Sequence, residues 1–369
     1  MRLMTASTFS ALDHLHMAHA LRLAELGLYT TQPNPRVGCV IAHGADVVGT
    51  GWHQRAGEPH AEVYALREAG ERARGATAYV TLEPCAHHGR TPPCADALIA
   101  AGVARVVIAA EDPFPKVDGR GIEKLRVAGI AVETGLMRDA AHELNIGFFS
   151  RIERGRPWVR IKLAMSLDGR TALANGESKW ITGEAAREDV QRWRARSSAI
   201  LTGSGTVLAD NPRLTVRMEG IATQPMRVVL DRLLRTPAGS QVLDGQMPTL
   251  MLHGHSAKPD ARFANVECIP VAESGRSFDL AAALALLAER DCNEVQVESG
   301  PTLCGALIAA GLADELLLYV APVLLGDHAM PLLGLPALTD MSKRWSLRMM
   351  DQRQVGNDLR LRLRPTNHN

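Results

Sequence analysis

The 369-residue chain holds 41 Lys and Arg against 40 Asp and Glu, a formal net charge of +1; this excludes a strongly basic nucleic-acid binder held mainly by phosphate contacts, though not a local basic patch. Hydrophobic residues at 46% and charged residues at 22% are ordinary for a folded globular protein and exclude disorder as the dominant state. At about 150 residues per domain the length points to two domains, at most three.

Residues 12–26 place Leu12, Leu15, His16, Ala20, Leu23 and Leu26 at helical spacing, and Gly27 follows as a C-terminal glycine should. Asp13 and three histidines interrupt this N-terminal stretch, so it lacks the apolar core of a secretory signal. Val37–Ile41 and Asp46–Trp52 are β-rich and separated by His43-Gly44-Ala45, the pattern of a hairpin. A helix over His60–Ala73, a strand over Thr77–Leu82, a Gly- and Pro-rich loop, a helix from Pro93 to Ala101 and a strand over Arg105–Ala109 follow. Gly121–Ala128 reads as helical and Ile130–Glu133 as extended. The order implies a three-layer α/β domain over residues 1–153. The charged stretch Arg151–Trp158, with Gly155 and Pro157, is the expected linker.

A second domain over 157–369 begins with a strand at Val159–Ala164. Further strands are expected at Ala199–Thr202, Arg227–Asp231, Thr249–Leu252 and Glu294–Glu298, with helices at Glu184–Ser197, Leu280–Arg290 and Thr302–Ala310. Alternating runs at Trp345–Met350 and Leu359–Leu363 suggest an antiparallel edge on a mostly parallel sheet. No apolar run reaches the roughly 18 residues of a membrane helix, and six cysteines are too few for a disulfide framework. A reduced, cytoplasmic setting is the expectation.

The first domain carries a chemical constellation. His60-Ala61-Glu62 opens a helix after Pro59, Cys85 ends Thr81-Leu82-Glu83-Pro84-Cys85, and Cys94 follows after eight residues. One imidazole and two thiolates suit Zn²⁺ and leave a fourth position for water, whose pKa the metal lowers. Glu62, two residues from one ligand, can move a proton without being a ligand itself. Zinc deaminases use such a His-x-Glu…Pro-Cys arrangement with a shorter gap between the cysteines. Here Pro92 and Pro93 make the longer loop plausible, the second starting the helix that presents Cys94. His87 and His88, inside that loop, could compete as ligands, but loop histidines are mostly solvated or bind substrate; Cys39, Cys268, Cys292 and Cys304 read as small buried hydrophobes.

The run TLEPCAHHGRTPPC resembles the signature of the RibD family of bifunctional riboflavin-biosynthesis proteins, a pyrimidine deaminase fused to a reductase, and the resemblance spans essentially the whole chain. It implies a cytidine-deaminase-like α/β/α fold for the first domain. The implied reaction removes the 2-amino group of 2,5-diamino-6-(ribosylamino)-4(3H)-pyrimidinone 5′-phosphate. His60, Cys85 and Cys94 match the metal residues and Glu62 the proton shuttle. Asn34 in QPNPRVGCV, His53 in GWH and Arg90 in GRTPPC match substrate positions. Asn34 can donate to and accept from a pyrimidine edge, and Arg90 can pair with a phosphate. A turn residue before Pro35, and plain surface positions for His53 and Arg90, are the alternatives. The family's usual Asp-Pro-Asn-Pro is Asp112-Pro113-Phe114-Pro115 here, which removes one amide.

The second half lacks a dinucleotide fingerprint: Gly203-Ser204-Gly205 follows a strand, but Leu208 stands where a third glycine belongs. The strand Glu294–Glu298 instead runs into Ser299-Gly300-Pro301, where a helix begins. Its free N–H groups suit an anion, and Gly300 and Gly305 would allow close approach of a pyrophosphate. By itself this is also simple strand–turn–helix punctuation. IKLAMSLDGR, GESKWIT, LTGSGTVLADNPRLTVR and VESGPTL resemble the reductase half of the same family, a dihydrofolate-reductase-like α/β fold that uses NADPH. By that resemblance Ala164, Trp180, Thr206, Asp210, Gly300, Pro301, Thr302, Leu303, Cys304, Gly305 and Ala306 contact the cofactor. Lys162, Ser178, Arg194, Leu214, Arg217 and Glu298 face the substrate. Core filling by Trp180, turn formation by Asp210 and a solvated arginine face around Arg194 remain alternatives.

The expected function is thus zinc-dependent deamination followed by NADPH reduction of one phosphoribosylated pyrimidine, by a homo-oligomer, without nucleic-acid or membrane partners. The alternatives are a zinc deaminase acting on another nucleotide or on tRNA, with a non-catalytic C-terminal domain, and a non-enzymatic interaction protein. The near-neutral charge and the intact His60, Glu62, Cys85 and Cys94 argue against these.

Overall fold

A computed structural model of the chain describes residues 9–86, 93–114, 117–221, 223–275 and 277–366. The chain divides into two compact units, Met1–Arg154 and Gly155–Asn369.

In the first unit, α1 (Ala11–Glu25) precedes a hairpin of β1 (Gly38–His43) and β2 (Asp46–Trp52), paired from His43↔Asp46 outward. Then come α2 (Ala61–Ala69), β3 (Thr77–Val80), α3 (Cys94–Ala101), β4 (Arg105–Ile108), α4 (Arg120–Val127), β5 (Ala131–Thr134), α5 (Arg138–Leu144) and α6 (Ile146–Arg154). The sheet order is β2-β1-β3-β4-β5, antiparallel from β2 to β3 and parallel from β3 to β5. On one face Ala61, Ala65, Leu98 and Leu125 pack against Ile41, Val80 and Ile108. On the other, Met17, Ala20, Leu21, Phe148 and Phe149 cover Val40, Tyr79 and Val107. Because both faces are covered, the central strands are continuously apolar rather than alternating.

Three expectations for this unit need correction. The apolar stripe of α1 faces the core only in part: His16 and Ala20 are buried and Leu23 packs on the core, but Leu12, Leu15 and Leu26 are exposed, and Asp13, Met17, Leu21 and Ala24 are buried as well. Asp13 is tolerated inside because the Tyr79 hydroxyl and the Arg105 guanidinium both donate to it. Gly27 is not a left-handed cap either, since Leu26 ends the helix in right-handed geometry. A Cβ on Gly27 would stand 2.7 Å from the Thr31 methyl group, so steric room accounts for the glycine. The expected linker is also shorter, because residues 151–154 complete α6 and a strand starts at Trp158.

The second unit is built on a sheet with nine strands among the described residues. In chain order its strands and helices are β6 (Trp158–Ser166), α7 (Glu184–Arg196), β7 (Ala199–Gly203), α8 (Ser204–Asp210), β8 (Met226–Leu230), β9 (Thr249–His253) and β10 (Glu267–Pro270). These are followed by α9 (Leu280–Glu289), β11 (Glu294–Val297), α10 (Pro301–Ala309), β12 (Glu315–Ala321), β13 (Leu347–Val355) and β14 (Asp358–Pro365). The sheet order is β10-β9-β8-β7-β11-β6-β12-β14-β13. All neighbours are parallel up to β12, and β14 and β13 add the antiparallel edge. Helices α9 and α10 cover one face through Leu284, Leu287, Cys304 and Leu307. Helix α7 covers part of the other through Ala186 and Val190 on Leu317 and Tyr319. Beneath α7 lies a charged layer in which Arg160 donates to Glu315 and Glu294 and its guanidinium sits 4.5 Å from the Trp193 ring centre.

Candidate active sites

In the first unit the helix starts bring the chemistry together. His60 is the N-cap of α2, Cys94 opens α3 behind Pro93, and Cys85 lies in the segment leaving β3. Helix α2 can seat closely on β2 because Gly51 faces it; a Cβ there would lie 2.2 Å from the Ala61 carbonyl oxygen. One ligand atom from each of His60, Cys85 and Cys94 lies within 4.8 Å of the others. His60 Nδ1 is 3.1 Å from Cys94 Sγ and 3.6 Å from Cys85 Sγ, and the Cys94 N–H donates to Cys85 Sγ at 3.3 Å.

This donor set is that of a catalytic zinc site, with three protein ligands and an open position. The bond to Cys85 lifts the His60 imidazole to about 9 despite its burial. Hydrogen bonding from Cys94 draws the Cys85 thiol down to about 4, while Cys94 moves up. Glu62 is 3% exposed and its Oε2 has no hydrogen-bond partner among the described residues. Burial pushes its carboxyl upward. An orphaned carboxylate oxygen beside a ligand cluster fits a group reserved for moving a proton.

A cavity of about 290 Å³ opens on this cluster, with Asn34, His53, Glu62 and Phe114 in its lining. His53 Nδ1 lies 3.1 Å from the Pro59 carbonyl oxygen, which can only accept. The Nδ1 therefore carries the proton, and Nε2 accepts from Asn34 Nδ2 at 3.1 Å. Burial depresses the His53 pKa, favouring the neutral ring. Both residues are thus part of one oriented pair rather than a turn former and a surface histidine. Arg90, His87 and His88 lie outside the described residues.

The cavity also has walls that the sequence reading did not place. Asp112, whose carboxyl burial pushes up to about 6, lines it, as do Phe148 and Arg151 of α6. Glu83 lines it too, and its carboxylate accepts from the N–H groups of Asp112, Gly119, Gly121 and Ile122. The Phe148-Phe149 pair within an otherwise polar stretch was the one signal for α6; the neighbouring Gly155 and Pro157 masked it.

In the second unit Arg194 and Glu298 form a two-pronged ion pair, Nε to Oε1 and Nη2 to Oε2, each 2.7 Å. Arg194 Nη1 also donates to the Thr215 carbonyl oxygen at 2.9 Å. The solvated-face alternative for Arg194 is therefore set aside. Burial opposes ionisation of Glu298, yet the Arg194 guanidinium holds its carboxyl down to about 2. Lys162 on β6 is within the electrostatic reach of both, and burial lowers its ammonium pKa. Arg217 is exposed; burial and then Arg194 lower its pKa. Ser178 is half-buried in the segment before α7. Leu214 packs its side chain among Ile200, Val207 and Val229, so only its main chain is available to a ligand.

Beside this group, β7 and β11 are parallel neighbours, and each runs into a helix whose start has no side-chain cap. Thr206 Oγ1 and Ser299 Oγ meet at 3.4 Å between the two starts. A Cβ on Gly300 would meet nothing within 4 Å, so uncapped N–H groups border open space there, as an anion requires. The expected role of Gly305 needs correction. Its Cβ position lies 2.4 Å from the Gly334 carbonyl oxygen, so the protein's own backbone makes the close approach. Pro301, Thr302, Leu303, Cys304 and Ala306 form the rest of that helix start, with Cys304 buried. Ala164 lies on β6 and is half-buried. Trp180 is 70% exposed with the Arg187 guanidinium 4.7 Å from its ring centre, which excludes core filling. Asp210 is the last residue of α8, and Asn211 takes the left-handed turn conformation instead.

A family model described as the cytidine and deoxycytidylate deaminase zinc-binding region matches residues 10–110, and one described as the RibD C-terminal domain matches residues 157–361. The riboflavin biosynthesis protein RibD of Escherichia coli is 50% identical over 363 residues, covering 95% of this chain and 99% of that protein. The protein of the same name from Haemophilus influenzae is 46% identical over 373 residues, covering 97% and 98%. Among solved structures, Acinetobacter baumannii RibD superimposes with a TM-score of 0.90 at 45% identity, covering 96% of this chain and 99% of that one. A diaminohydroxyphosphoribosylaminopyrimidine deaminase/5-amino-6-(5-phosphoribosylamino)uracil reductase from Thermotoga maritima does so with 0.86 at 34% identity, with the same coverage.

Proposed function

The chain belongs to the RibD family of bifunctional riboflavin-biosynthesis deaminase–reductases, and on that premise we propose how its residues divide the two reactions. The first unit is the zinc-dependent deaminase and the second the NADPH-dependent reductase. The first removes the 2-amino group of 2,5-diamino-6-(ribosylamino)-4(3H)-pyrimidinone 5′-phosphate. The second converts the ribosyl group of 5-amino-6-(5-phosphoribosylamino)uracil to ribityl. The observation that carries this reading is the orphaned Glu62 Oε2 beside the His60–Cys85–Cys94 cluster.

His60, Cys85 and Cys94 would hold the zinc, which when bound supplies a water acidic enough to act as nucleophile near neutral pH. Glu62 Oε2 takes a proton and returns it to the departing amine, which leaves as ammonia. Asn34, its amide oriented by His53, reads the pyrimidine edge. Arg90 is assigned to the phosphate by its position in the motif.

In the reductase, the start of α10 (Gly300–Ala306) together with Thr206 and Asp210 would hold NADPH, with Ala164 and Trp180 as further contacts. Bound NADPH supplies hydride. The chain contributes orientation and charge: Lys162, Ser178, Arg194, the Leu214 main chain, Arg217 and Glu298 surround the ring-opened ribosylamine. Arg194 is already locked to Glu298, so Arg217 is the freer of the two arginines for the phosphate.

No helix among the described residues is long and apolar enough to cross a membrane. We also place the chain in the cytoplasm, where Cys85 and Cys94 stay reduced, and as a homo-oligomer. Edge strand β13, with Leu347, Met349 and Met350 exposed, supports self-association. Incubation with the diaminopyrimidinone phosphate, with and without NADPH, and mass resolution of the products tests the whole reading. Glu62→Gln should lower deamination by about 10³-fold while reduction of the deaminated intermediate stays within about twofold. Joint collapse of both rates in a folded protein would rule out two separate sites.

A further inference from the structure

We infer that Arg151 is a second cation, beside Arg90, that reads the phosphate of the substrate in the deaminase cavity. The inference rests on the deaminase reading above and concerns which group of this chain recognises the phosphorylated end. Arg151 is the only arginine or lysine lining the cavity among the described residues. The remaining ionisable lining holds three carboxyl groups, Glu62, Glu83 and Asp112, beside His53, His60 and Cys85. A phosphate monoester brings about −1.5 to −2 charge at neutral pH, and a guanidinium in the wall offsets its repulsion by the carboxyl groups there. A guanidinium presents the forked donors that phosphate oxygens accept.

The helix beneath Arg151 is anchored for this purpose. Asn145, just ahead of α6, accepts from the Arg36 N–H at 2.8 Å and donates through Nδ2 to the Arg36 carbonyl oxygen at 2.9 Å. That reciprocal pair ties the start of α6 to the segment carrying Asn34. Phe149 packs into the core. Phe148 and Arg151, three residues apart, share the helix face that lines the cavity. The same segment therefore positions the base-reading amide and the arginine.

The test uses the full-length enzyme loaded with zinc and two substrates, the diaminopyrimidinone ribosyl 5′-phosphate and the same compound without its phosphate. Wild-type enzyme should prefer the phosphorylated form. Arg151→Met should raise KM for that form by about 50-fold with little change in kcat, the loss of a hydrogen bond to a charged group. The unphosphorylated compound should change by less than about threefold in kcat/KM, and Arg151→Lys, which keeps the charge but not the fork, should fall between. Equal losses on both compounds would mean that Arg151 only supports the fold, and the inference would fail. It would fail equally if Arg151→Met left KM for the phosphorylated form unchanged, or if wild type did not distinguish the two compounds. Wild type acting on neither compound would overturn the deaminase reading itself, and this inference with it.

Discussion

Gly305 lies on the side of α10 that meets Gly334, its Cβ position 2.4 Å from that residue's carbonyl oxygen. The close contact is with backbone, which cannot rotate away as a side chain could. Gly305→Ala should therefore cost about 1–3 kcal/mol, in the range of overpacked positions, read as a shift in the urea midpoint. It should also weaken NADPH binding, because the start of α10 must move to relieve the clash. Unchanged stability and unchanged nucleotide affinity would refute this. Residue types and residue environments separate clearly at this scale. Arg194 and Glu298 were recognisable as site residues by their motifs, but they stand 104 positions apart, and nothing in the linear order announces the ion pair. Leu214, matched to a substrate position, has its side chain in the core.

Among the elements, α4 is held by a side chain from another segment. Its start carries no side-chain cap from its own N-cap, Gly119; Glu83 instead accepts the N–H groups of Gly119, Gly121 and Ile122, and that of Asp112 besides. A carboxylate at a helix start satisfies otherwise orphaned donors and favours the helix dipole. Glu83→Ala should cost about 2 kcal/mol, the upper range for a lost cap, in equilibrium unfolding. It should also lower deaminase kcat/KM, since the Asp112–Phe114 wall of the cavity is attached through the same carboxylate. A stability change below about 0.5 kcal/mol would show that the amides find other partners. Most helices and strands were legible from hydrophobic periodicity and turn residues, and the antiparallel edge was legible as alternation. The facing of α1 was legible only in part, because Asp13, beside the expected Leu12, turns inward to Tyr79 and Arg105 while Leu12 is exposed. Helix α6 was hidden by Gly155 and Pro157, which follow it directly.

Taken whole, the molecule has two units, and the second buries two carboxylates against arginines. In the second, burial disfavours charge on Glu298 and Glu315, yet Arg194 brings the first to about 2, and Arg160 with Arg362 brings the second to about 2. Folded pKa values below the unfolded one mean stability that is present above about pH 4.5 and lost as pH falls toward 2. The reductase unit should therefore lose thermal stability steeply across that window. Glu298→Gln should flatten part of the slope, because its side chain no longer takes up a proton on unfolding. A variant with the same pH profile as wild type would refute the assignment of that slope to Glu298.

The linear order alone determined the metal chemistry, since His60, Glu62 and Cys94 are set by local helix starts and Cys85 by the short segment leaving a strand, and short-range spacing encodes those. It likewise determined the alternation of strands and helices and, through motif resemblance, the family. Tertiary packing decided the tautomer of His53, the pairing of Arg194 with Glu298, the backbone contact at Gly305 and the walls that α6 and Glu83 lend to the cavity. Each of these depends on groups far apart in the chain meeting in a dry interior, where unpaired polar groups are costly and partners are chosen by proximity in space rather than by order along the chain.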